Sequence, residues 1–188
     1  MIAYQKEKIE NAICFFAQEH KKATRQPLYQ TYLFKYLAFL DFVSLKHTGR
    51  PSLGLKYRAM ERGPVPIDIY NQRDSYKSDC VIFKKVDEDK YIIESKGRPD
   101  LAYFSPYEVS QMRRMIEIFA DQFVRSNELS EASHEEIKAW RKAWKRNRNS
   151  IIEFEDEFDE NIFSKSPKDL SPAEEAFLIY KTIEQTSN

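Results

Sequence analysis

Apolar positions recur at helical spacing through much of the chain. Between residues 4 and 22, Ile9, Ala12, Ile13, Phe16 and Ala17 share one face and charges fill the other, which predicts an amphipathic helix. The run LYQTYLFKYLAFLDFVSLKH carries Leu33, Leu37, Leu40 and Val43 on one side, with Phe34, Phe39 and Phe42 over much of the rest. A helix apolar almost all round belongs at the centre of a fold. Pro27 suits its first turn, Gly49 a left-handed C-cap, and Pro51 stops it from resuming.

The period then changes. LKYRAM alternates loosely, as a short strand does, and PIDIYNQ suits a short helix opened by Pro66. CVIFKKV and KYIIESK, separated by DED, predict a hairpin. SPYE is a capping box with proline at the first helical position, and the helix it opens aligns Val109, Met112, Ile116, Phe119 and Phe123. Two more capping boxes, SHEE from Ser133 and SPAE from Ser171, open further helices. Ile137, Trp140 and Trp144 share a face of the first, where core is the expected role for the tryptophans; Phe177 and Tyr180 mark the second. The expected fold class is α+β: a mostly helical single domain with a small antiparallel sheet.

Composition narrows the function classes. The chain is 41% hydrophobic and 14% aromatic, enough for a core, and its 30 basic and 30 acidic residues cancel. A global basic field for nucleic acid is therefore absent. Cys14 and Cys80 form no CxxC pair, as expected in a reducing cytoplasm. No signal-peptide run and no membrane-length apolar window occur. His20, His47 and His134 are too scattered for a recognised metal site, and HEE at His134 is not HExxH. The expectation is a protein with no catalytic constellation, no metal and no cofactor. His134 reads as a first-turn residue bonded to a neighbouring loop.

The stretch GRPSLGLKYRAMERGPVP holds three of the chain's 4 glycines and three of its 8 prolines. Backbone-shaping residues so concentrated mark a path fixed by its own residues. YLAFLDFVSLKHTGRP followed by LKYRAMERGPVPIDIY resembles the signature of the Panacea domain, also called SocA-like or GepA-like phage-associated. The matching residues are Gly49, Arg50, Pro51, Tyr57, Ala59, Met60, Gly63, Pro64, Val65, Pro66 and Tyr70. ELSEASHEEIKAW resembles the family's Leu…Ser-His…Trp element at Leu129, Ser133, His134 and Trp140. The likeness places a Panacea domain in residues 1–149, with 150–188 an acidic segment and helix packed on it or extending it.

This resemblance implies an antitoxin that neutralises a toxin by direct binding; one branch of the family instead delivers its toxin to the ClpXP protease. An uncharacterised phage-associated enzyme and a nucleic-acid binder are the competing classes. The few residues before the match are too few for the DNA-binding domain that many members carry. A homo-oligomer stays open. Alternation leaves Tyr57, Met60 and Tyr70 either in the core or facing a partner. The apolar residues of IIEFEDEFDENIF (Ile151, Phe154, Phe158 and Ile162) suit one helix face. Two readings of its carboxylates follow. Glu155, Asp156, Glu157 and Asp159 either neutralise the basic run from Lys138 to Arg148 or, with Phe154, face a basic partner.

Overall fold

The computed structural model describes residues 2–120 and 136–186. Helix α1 (Gln5–Thr24) buries Ile13, Phe16 and Ala17 as its periodicity requires. Strand β1 (Leu28–Tyr29) follows Pro27, so that proline precedes a strand and does not open the next helix. The reason is pairing: Leu28 and Tyr29 lie opposite Ile93 and Ile92 of a later strand. Helix α2 (Gln30–Thr48) then runs through the centre, burying an unbroken run from Leu33 to Phe42. It ends at Gly49, whose φ of 72° is left-handed and whose N–H donates to the Leu45 carbonyl at 2.8 Å.

Two small antiparallel sheets, rather than one, flank this helix. In the first, β2 (Tyr57–Met60) and β3 (Gly63–Pro66) form a hairpin turning at Glu61 and Arg62, and β6 (Ile151–Ile152) pairs with the other side of β2. Gly-Pro-Val-Pro is thus a strand. Its prolines lack the N–H that a central strand needs, and β3 lies at the sheet edge where that loss is tolerated. Gly63 opens it with φ 113°, a conformation costly for any residue with a Cβ. Helix α3 (Ile67–Gln72) follows directly. The second sheet has the order β1-β5-β4, with β4 (Val81–Asp87) and β5 (Lys90–Ser95) forming the predicted hairpin.

Helix α4 (Pro106–Ala120), α5 (Lys138–Arg146) and α6 (Pro172–Thr186) complete the described structure. The boxes at Ser105 and Ser171 form as their sequences require. The Ser105 N–H donates to Glu108 at 2.8 Å and the Ser171 N–H to Glu174 at 2.8 Å. The box at Ser133, with His134 and Leu129, lies outside the described residues. Residues 151–163 do not form the single helix their spacing suggests. They give β6 and two 3-10 turns, at Phe154–Glu157 and Ile162–Ser164. Ile152, Phe158, Ile162 and Phe177 nevertheless join the same buried cluster as α1 and α2. Among the described residues, no helix is long and apolar enough to cross a membrane.

Candidate partner-binding groove

The Gly-Arg-Pro segment is held from beneath by a buried acid. Asp41, at the apolar heart of α2, is fully buried. One carboxylate oxygen accepts from the Leu53 and Gly54 amides at 2.5 and 3.1 Å; the other accepts from the Leu55 amide at 3.1 Å and the Tyr57 hydroxyl at 2.9 Å. Burial pushes the Asp41 carboxyl up to about 6, against the pull of these four donors. Burial and the adjacent carboxylate likewise raise the Tyr57 phenol. Tyr57 is therefore a core residue, 1% exposed, and is withdrawn from the partner-facing set. An acid inside AFLDFVS was the signal for this hub, and sequence reasoning passed over it.

A second acid ties the same segment to two helices. Glu108 accepts from Ser52 Oγ at 2.5 Å and Lys8 Nζ at 2.6 Å while capping α4. Burial opposes its charge, but Lys8, Ser52 and the Ser105 amide outweigh burial and hold its pKa below the usual value. Pro51 is buried and Arg50 exposed. A Cβ on Gly49 would meet the α6 backbone, with Phe177 N at 2.6 Å. The motif Gly49-Arg50-Pro51 thus marks a crossing of chain segments.

The acidic segment folds back onto its own protein. Asp156 pairs with Arg146, Glu155 with Lys181 at 2.7 Å, and Asp159 with Lys138 at 2.8 Å. Glu157 is buried and accepts from the Ala139 amide at 2.9 Å, capping α5 from a distant part of the chain. Phe154 is half-buried with its ring 5.4 Å from that of Phe42. Glu155 and Asp156 are half-buried and Glu157 is buried, whereas Asp159 is exposed. Asp156 and Asp159 thus neutralise members of the basic run, while Glu155 pairs outside it and Glu157 serves as a cap. Trp140, also buried, donates from Nε1 to the Met60 carbonyl at 3.1 Å and fastens α5 beneath β2.

Met60 and Tyr70 meet in one place. They line a groove of about 800 Å³ that also takes in Tyr29, Lys35, Arg62 and Tyr91. Half-buried Val65 and buried Pro64 of the motif border it, whereas Pro66 and Gly63 are buried away from it. Four segments build it: the first turns of α2, the β2–β3 turn, α3 and the β4–β5 turn. Each is fastened to another. Lys35 Nζ donates to the Arg62 carbonyl at 2.8 Å, and Gln30 Nε2 to the Asp89 carbonyl at 2.6 Å. Arg73 lies 3.8 Å over the Tyr70 ring and 5.1 Å from that of Tyr91, and reaches Asp89 at 3.5 Å. Burial, with the Arg62 charge nearby, pushes the Lys35 amine down to about 8.

Sequence reasoning found Met60 and Tyr70 but missed Lys35 and Arg73. A lysine inside YLFKYL was the visible sign of the first; the stacking of the second depends on tertiary contacts. Among the described residues, no three His, Cys, Asp or Glu side chains stand together as a metal site would require. No curated protein and no solved structure matches the chain. The family model described as Antitoxin SocA-like, Panacea domain, matches residues 33–141, which include α2 from Leu33 onward, the β2–β3 hairpin, α3 and the groove residues other than Tyr29, Gln30, Thr31 and Tyr32. That span is more than half of the chain, and the chain belongs to the SocA-like, Panacea-domain antitoxin family.

Proposed function

We propose that this chain neutralises a partner toxin by direct binding, with no catalytic step of its own, and that the groove around Met60 and Tyr70 is its docking face. The observation that carries the reading is the groove's composition on fixed elements. Tyrosine, methionine and arginine, residue types enriched at interfaces, converge there, and hydrogen bonds and the Arg73 contacts hold the walls in advance of binding. Preorganisation of this kind lowers the entropy lost on association. Inhibition by occupancy needs an interface of roughly 800 Å² per partner, so the groove would be its centre and not its whole.

Co-expression with the product of the adjacent gene, as the candidate toxin, is the test. The parent protein should rescue growth and co-purify with the toxin. The double variant Met60→Ala/Tyr70→Ala should bind at least about tenfold more weakly and lose rescue, since truncating central anchors costs about 2 kcal/mol or more. Near-UV circular dichroism should confirm that the variant is folded. A folded variant with parental affinity would overturn the groove as the docking face. Rescue with falling toxin levels and no stable complex would instead mean delivery to a protease such as ClpXP.

A further inference from the structure

The chain's 2 cysteines, distant in sequence, meet beside α1. Cys14 is fully buried on that helix; Cys80, just before β4, is half-buried. Cys80 Sγ donates to the Glu10 carbonyl at 3.5 Å. Glu10 stands one helical turn before Cys14, so this is the carbonyl that the Cys14 amide bonds within the helix. Cys14 Sγ in turn donates to the Gly97 carbonyl at 3.6 Å, and the neighbouring Lys96 N–H donates to the Cys80 carbonyl at 2.8 Å. Ser78 Oγ donates to Glu10 Oε2 at 3.2 Å and accepts from the Cys80 amide at 3.2 Å. The turn that carries Cys80 is thus fastened to the turn of α1 that carries Cys14. Burial first, then the charge and hydrogen bonding of the Cys80 thiol, push the Cys14 thiol up to about 12.

We propose that Cys80 and Cys14 are a reversible modification site, where a hydroperoxide joins them in a disulfide that fastens α1 to the β4–β5 hairpin. Exposure sets the order of events. The half-buried Cys80 sulfur attacks one peroxide oxygen, the O–O bond breaks, and Cys80 becomes a sulfenic acid as the first water leaves. The Cys14 sulfur then attacks the Cys80 sulfur. The S–S bond forms, the S–O bond breaks, and the Cys14 proton leaves with the hydroxide as a second water. Two thiols and one hydrogen peroxide give one disulfide and two waters; the thiols lose two electrons and the peroxide gains them. Buried and held protonated, Cys14 is inert toward the oxidant itself, which leaves it the resolving role. A disulfide needs its two backbones close without movement, and the bonds to Glu10, Gly97 and Cys80 hold them so. A thiol reductant reverses the bridge by exchange. Neither cysteine lines the groove, so the inference stands apart from the docking face. Cys80 lies inside the matched family region and Cys14 before it, so the bridge would tie that region to a helix outside it.

Hydrogen peroxide added to the purified, reduced full chain tests this, read by intact mass and free-thiol titration. The parent should lose two hydrogens and both free thiols, with the bond inside one chain, and dithiothreitol should restore both. Its melting temperature should rise by roughly 5–10 °C on oxidation and return on reduction, because the bridge closes a long loop of the unfolded chain. In Cys14→Ala the reaction should stop at a Cys80 sulfenic acid, which dimedone captures; in Cys80→Ala the remaining thiol should stay free. Neither variant should gain stability from peroxide. The parent alone decides the matter even if a variant folds poorly. Both thiols still free in the folded parent, a disulfide that forms only after denaturation, a bond between chains, or a Cys80 sulfinic acid without a bridge would each overturn the inference. A bridge that fails to raise the melting temperature would also overturn it, since the two backbones would then be straining to meet and not fastened together.

Discussion

Gly49→Ala is expected to destabilise the protein by about 3 kcal/mol or more, the sum of a strained left-handed residue and a steric clash. Gly49 has φ 72°, where any Cβ is disfavoured. That Cβ would also press on the Ala173 carbonyl, on Phe177 N at 2.6 Å and on Ala176 Cβ at 2.8 Å. Two of these are backbone atoms of α6 and cannot rotate away. Either α6 lifts from α2 or the end of α2 distorts, and lifting would expose Phe177, which is fully buried against Phe158. The melting temperature should fall by roughly 10 °C, at 2–4 °C per kcal/mol for a chain of this size. Limited proteolysis should then cut first near α6. A parental melting temperature would show that the close approach does not matter. The matched family region ends before α6 begins, so the glycine of the family motif is constrained here by a helix outside that region.

Asp41→Ala should be comparably severe, at about 3–5 kcal/mol. It leaves three backbone N–H groups and the Tyr57 hydroxyl without their acceptor in a dry interior. Each buried donor so stranded costs about 1–3 kcal/mol, with relaxation and water entry recovering part of the sum. Tyr57→Phe separates the contributions, because it removes one donor and strands none of the three amides. Its cost should be about 1 kcal/mol, read by chemical denaturation. Equal losses for Asp41→Ala and Tyr57→Phe would mean that the amides are not what Asp41 secures.

These two residues show what the sequence could and could not disclose. The helical pattern, the capping boxes at Ser105 and Ser171 and the hairpin beyond Cys80 were legible, because each depends on neighbours a few residues away. Gly49 was legible as a helix end, but its nearness to Ala173 was not, since that contact spans most of the chain. Residues 151–162 misled for a related reason. Their apolar spacing suits a helix, yet Ile151 and Ile152 find strand partners in Arg58 and Tyr57, and Glu157 finds the Ala139 amide. Long-range pairing overrode local preference. The groove was half legible. Met60 and Tyr70 stood in the family signature, whereas Lys35 and Arg73 join them only once α2 and the β4–β5 turn are in place.

Hydrogen exchange on the complex with whichever toxin co-purifies with this chain tests the central claim, that the chain binds its partner through the groove. New protection should appear at the β2–β3 turn, in α3 and at the β4–β5 turn, with α6 and residues 151–164 unchanged. Protection confined to α6 and residues 151–164, with none at the groove, would contradict the claim.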